Sequence, residues 1–94
     1  MPLAEAEILD TQARLEDRSR GLGDRFNENT ERALDQIAAF PECGPVCVGP
    51  FRRLLVRDFP LGIFYSVDGR RTVVHAVMDL REEPTAIARR PRQT

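Results

Sequence analysis

The side chains in this sequence with chemistry to offer are few: one histidine, His75, two cysteines, Cys43 and Cys47, and a set of cations that is entirely arginine. An imidazole changes charge near neutral pH, so His75 can donate or accept a proton for any reacting group within hydrogen-bond reach. A lone histidine in a strand more often packs or hydrogen-bonds than catalyses, and the sequence leaves both readings open. Three residues separate the thiols in Cys43-Gly44-Pro45-Val46-Cys47. That is not the spacing of a redox pair, and no second half completes a zinc site, so the cysteines read as small loop hydrophobes and neither metal nor cofactor is expected. Arg52, Arg53 and Arg57 carry planar forks of donors suited to a partner surface, and they equally suit an edge strand that its charges keep from aggregating.

Residues 59–79 must position these groups. Two apolar runs rich in β-branched and aromatic residues flank Asp68-Gly69 there, a pattern that predicts a β-hairpin with a type I′ turn. Closing the chain at Asp68-Gly69 sets Val67 opposite Arg70, Tyr65 opposite Thr72, Ile63 opposite Val74, Leu61 opposite Ala76 and Gly62 opposite His75. Side chains alternate along a strand, so Leu61, Ile63, Tyr65, Val67, Val74, Ala76 and Met78 form the expected core face. Gly62, Phe64, Ser66, Arg71, Val73, His75, Val77 and Asp79 form the other, whose mixture of apolar and polar groups marks an interaction surface.

Residues 3–16 carry Ala4, Ile8, Thr11 and Leu15 at helical spacing, with Pro2 where a first turn tolerates it. Gly21 and Gly23 break this helix, Asp24 is placed to cap the next, and Phe26, Thr30, Ala33, Ile37 and Phe40 give a second amphipathic helix ending at Pro41. Residues 42–50, with two prolines and two glycines, read as a loop. Residues 52–57 read as a strand that feeds the hairpin through Asp58-Phe59-Pro60. Two helices followed by three strands predict an α+β fold in which an N-terminal antiparallel helical hairpin packs on one face of a small antiparallel β-sheet.

Residues 1–84 are expected to form a single domain and residues 85–94 an Arg/Pro-rich flexible tail, in which Arg89-Arg90-Pro91-Arg92 reads as solvated. Fourteen basic residues stand against fifteen acidic ones, so bulk charge does not point to a nucleic-acid binder. Most acidic residues precede position 43 and most arginines follow it, which polarises the molecule. No apolar run approaches ~18 residues and no leader pattern opens the chain, so no membrane span is expected and the cytoplasm is the expected compartment.

The segments Glu5-Ala6-Glu7, Arg18-Ser19-Arg20-Gly21-Leu22-Gly23-Asp24-Arg25-Phe26, Ala33-Leu34-Asp35-Gln36-Ile37, Phe40-Pro41, Arg52-Arg53, Phe59-Pro60-Leu61-Gly62-Ile63-Phe64-Tyr65 and Arg81-Glu82-Glu83-Pro84 resemble, in order and spacing, the RelE/ParE superfamily of toxins from type II toxin–antitoxin (plasmid stabilisation) systems. The resemblance spans nearly the whole chain and implies the same α+β fold. Such toxins usually begin with a short strand before the first helix, which this sequence does not show.

The resemblance implies a toxin neutralised by a cognate antitoxin, and two chemistries occur on the fold. ParE-like members bind DNA gyrase; RelE-like members are ribosome-dependent mRNA endonucleases that stabilise the scissile phosphate with arginines and deprotonate the 2′-hydroxyl. The position of one catalytic arginine is Gly62 here, Arg81 matches a second, and no tail tyrosine follows. The leading expectation is therefore a ParE-like binder rather than an enzyme, with Arg52, Arg53, Arg57, Phe64 and Arg71 as the partner surface. The alternatives are a nuclease using His75 and Arg81, and an inactive remnant that binds only its antitoxin. Expected partners are the antitoxin, gyrase or ribosome-bound mRNA, and a second copy or a hetero-oligomer with antitoxin.

Overall fold

A computed structural model describes residues 3–81, which form α1 (Leu3–Arg18), α2 (Leu22–Ala39), β1 (Val46–Val48), β2 (Phe51–Leu55), β3 (Leu61–Asp68) and β4 (Arg71–Asp79). The expectations for Pro2, the Ala4 side chain and the tail lie outside the described residues. Two helices followed by antiparallel strands give the expected α+β arrangement, with the strands ordered β1-β2-β3-β4 across one sheet. Among the described residues the sheet has four strands rather than three, because Val46–Val48 pairs with β2 within the stretch expected to be a loop.

Helical spacing delivers the expected residues to the sheet. Ile8 and Leu15 of α1 pack on the core, and Thr11 between them is buried. Phe26, Thr30, Ala33 and Ile37 of α2 are buried as well, but Phe40 is 68% exposed, because the helix ends at Ala39 and the backbone leaves helical geometry at Phe40. Asp24 does not cap α2. The helix begins upstream of it, behind Gly21, and the carboxylate of Glu16 accepts the Gly21 and Gly23 N–H groups at 3.0 Å each. Asp24 instead lies in the first turn, where its charge complements the helix dipole.

The hairpin departs from expectation in two ways. Asp68 faces Arg71, so Gly69-Arg70 make the turn. Gly69 has φ 61° while Arg70 stays outside the positive region, the pattern of a type II′ turn with glycine at the first central position. Then the register slips. Tyr65 faces Val74 but Phe64 faces Ala76, which leaves His75 as the extra residue of a β-bulge. One added residue reverses the faces of everything beyond it. Val77 therefore joins the helix-side core, whereas Ala76 and Met78, expected in that core, pack on the opposite face with Phe64. Gly62 consequently faces Met78 and not His75. Val67 lies beside the turn and is 38% exposed.

Two apolar clusters result. Phe26, Ala33, Ile37, Val56, Ile63, Tyr65 and Val77 fill the space between helices and sheet, with the ring of Phe59 meeting Phe26 edge-on at 5.5 Å. Phe64, Ala76 and Met78 form a smaller cluster on the outer face beneath Cys47, Val48 and Phe51.

Tyr65, with no exposed surface, ties the helix-side core to the loop after α2. Its hydroxyl donates to the Pro41 carbonyl at 2.7 Å and accepts the Gly44 N–H at 2.9 Å. Burial pushes the phenol above its ordinary value of 10.0, against the Gly44 N–H, which favours the phenolate. A raised folded-state value contributes stability that is fully present below the unfolded value and is lost as pH climbs past it. Tyr65→Phe should therefore cost about 1–3 kcal/mol at neutral pH by orphaning the two loop groups, measured by urea unfolding. It should also remove the part of the alkaline stability loss that begins near pH 10. The wild-type loss can be followed by tyrosinate absorbance, since the chain has one tyrosine.

Candidate functional site

The one histidine, at the bulge, lies on the outer face of the sheet, as strand alternation placed it. There its Nε2 lies 2.7 Å from the Ser66 hydroxyl, and its ring meets Phe51 edge-on, with centroids 5.0 Å apart and planes at 87°. Both members of the pair are partly exposed. Strand β3 supplies the serine, the bulge of β4 the imidazole and β2 the aromatic edge that orients it.

Other expected site residues are placed elsewhere. Arg52 lies opposite Tyr65, and its guanidinium donates to the Gly44 and Glu42 carbonyls at 2.8 and 3.3 Å. That arginine clamps a loop. Arg53 is opposite Phe64, and its aliphatic stem occupies the space above Gly62. A Cβ on Gly62 would fall 3.0 Å from the Arg53 Cγ and 3.2 Å from a Leu80 methyl, so a longer side chain at position 62 has no room without displacing both. Phe64 is 2% exposed and belongs to the outer cluster rather than to open surface. Arg57 and Arg71 are exposed, and the Arg57 carbonyl accepts the Asn29 side-chain amide at 2.9 Å, which pins the turn after β2 to α2. Arg81 is held by Asp79 through two side-chain bonds of 2.9 and 2.7 Å. The structure thus joins His75 to Ser66 and Phe51, and pairs Arg81 with Asp79 at the surface.

A second feature was not anticipated. Between α1 and the β3–β4 hairpin lie two adjoining concavities of about 320 and 450 Å³ that share Thr11, Arg14, Leu61 and Asp79. Their lining mixes apolar Leu15, Phe59, Pro60 and Val77 with charged Glu7, Asp10, Asp17, Arg18 and Arg81, the first concavity mostly polar and the second more apolar. Glu7 reaches the edge of β4, where its carboxylate accepts the Val77 N–H at 3.4 Å. A helix-borne carboxylate at that point blunts a strand edge that would otherwise invite pairing. The one available signal was the spacing of Asp10 and Arg14, which pair at 3.2 Å across a helical turn. A helical wheel shows such a face, but not which strand lies beside it.

The two thiols are divided by the sheet. Cys43 packs on the helix-side core, 3.8 Å from the Tyr65 hydroxyl, and Cys47 packs on the outer cluster. Among the described residues no group of three or more histidine, cysteine and acidic side chains could hold a metal ion, and no helix is long and apolar enough to cross a membrane. Comparison with known protein families, curated proteins and solved structures yields no match to this chain.

The hydrogen bonds from Arg81 hold the Asp79 carboxyl at about 2, below its ordinary 3.8. A depressed value contributes stability above the unfolded pKa and loses it as pH falls through the folded one, here between about 3.8 and about 2. Carboxyl-detected NMR titration should place the Asp79 midpoint near the lower figure, and Arg81→Ala should return it to the ordinary range. An Asp79 midpoint unmoved by Arg81→Ala would show that the pair does not persist in solution.

Proposed function

We propose that this protein is a toxin of the RelE/ParE kind that acts by binding rather than by cutting RNA, neutralised by a cognate antitoxin and directed at a target such as DNA gyrase. The observation that carries the choice is the surroundings of Gly62. The family resemblance puts a catalytic arginine there, and the Arg53 stem and Leu80 fill the space it would need. Removing one donor to a scissile phosphate typically costs ~10²–10³-fold in rate, and here position 62 carries none, with the Arg53 stem and Leu80 packed over it. Arg81, the second matching arginine, is already engaged by Asp79.

The groove beside α1 supports the antitoxin part of the reading. Its mixed apolar and charged lining suits a segment of a protein partner, laid along the helix or added near the β4 edge. Arg14 is 69% exposed at its side chain and sits in both concavities. Arg14→Glu should therefore weaken antitoxin binding several-fold, with only a small fall in the thermal midpoint of the isolated chain from the lost pair with Asp10. The nuclease reading rests on His75, whose hydrogen bond to Ser66 leaves it chemically competent as a base.

Two assays run together decide between them: gyrase supercoiling with purified protein, and primer extension on translated mRNA after induction. Inhibited supercoiling with intact bulk mRNA is the expected result. Codon-specific cuts in the ribosomal A site that disappear in His75→Ala or Arg81→Ala would overturn it in favour of the nuclease. Inactivity in both assays, with antitoxin binding retained, would identify a remnant.

A further inference from the structure

We propose that Ser66 is a nucleophile primed by His75, a site at which the protein accepts an acyl group from a small activated ester. The proposal is independent of the toxin reading and rests on the outer face of the sheet. A hydroxyl 2.7 Å from an imidazole nitrogen is within the distance for proton transfer as its oxygen attacks. With Nε2 unprotonated, the Ser66 hydroxyl donates to it, which is the arrangement that raises the nucleophilicity of an otherwise weak alcohol. Three features of the fold keep the two groups together. Strand alternation after helix-side Val74 places His75 on the face of Ser66, Phe51 meets its ring edge-on, and pairing of β3 with β4 fixes the backbones that carry them. Partial exposure of both residues gives a reagent access to the oxygen. The apolar surface of Phe51, on the same face, offers a resting place for a short acyl chain.

In the step itself, the Ser66 oxygen forms a bond to the ester carbonyl carbon and its proton passes to Nε2 of His75. The bond from that carbon to the leaving oxygen then breaks, the electron pair departs with the leaving group, and the imidazole returns its proton to solvent. Ser66 lies inside β3 and not at a turn or helix N-terminus, the places where free backbone N–H groups stand ready for an oxyanion. The site is built for transfer to the serine, not for rapid turnover.

The chain supplies its own control, because it has no lysine and its other serine, Ser19, is exposed and distant in sequence from the histidine. The full chain is treated with 4-nitrophenyl acetate, and the adducts are located by peptide mass spectrometry. Ser66 should be acetylated about 10²-fold faster than Ser19, the size of a general-base contribution, with a rate that rises as the imidazole loses its proton. His75→Gln, which keeps a polar group of similar reach, should bring the two serines to similar rates while the circular dichroism and thermal transition stay those of the folded protein. Equal labelling of Ser66 and Ser19 in the wild type would overturn the proposal. So would a fast reaction at Ser66 that is indifferent to pH or to His75→Gln, or an adduct confined to the cysteines and His75.

Discussion

One extra residue in β4 governs which side chains meet in this protein. Without the bulge at His75, Val77 would turn away from α2, while Ala76 and Met78 would enter a space already held by Ile63 and Tyr65. With it, the sheet is apolar on both sides of its middle, and a second cluster forms around Phe64. A bulge leaves one residue outside the ladder and adds local twist. Here that residue carries the only imidazole of the chain, which lies beside a serine on the neighbouring strand. The most chemically capable pair of side chains thus sits at the point where the core divides.

The loop between α2 and the sheet shows a related economy. Its carbonyl and amide groups cannot be satisfied by a ladder, and buried backbone groups without partners are costly. Tyr65 takes one of each from the core side, and Arg52 takes two carbonyls. An arginine in a small sheet protein invites a reading as a contact for phosphate or carboxylate, yet this one acts inward. Charges along α1 and at the end of β4 face outward, where Asp10 with Arg14 and Asp79 with Arg81 form paired rims rather than a field of one sign. Such a rim favours selectivity over indiscriminate attraction.

The helices and the hairpin were legible because each rests on a period. Apolar residues every three or four positions placed Ile8, Leu15, Phe26, Ala33 and Ile37 correctly against the sheet, and alternation placed Ile63, Tyr65 and Val74. What the sequence hid has no period. Val46–Val48 is a strand of three residues between proline and glycine, recognisable only from its pairing with β2. The bulge is a property of two strands at once, so no inspection of β4 alone finds it. The same holds for Glu16, which replaces Asp24 at the start of α2 from another helix, and for Arg53, whose stem closes the space over Gly62. The candidate residues were visible as residue types; which of them are free, and which are tied to Asp79 or to a loop, depends on contacts distant in sequence.

The strands succeed one another across the sheet in the order of the chain, and that order bears on how the protein assembles. Each pairing closes a short segment, and the entropy of closing a loop grows only slowly with its length. Topologies dominated by such local contacts fold faster than those that need distant segments to meet. The distant event here is the arrival of Phe26 and Ile37 on Ile63 and Tyr65. The register of the hairpin, bulge included, is thus open to selection by its own turn, while the helices supply the burial that makes the selected register persist.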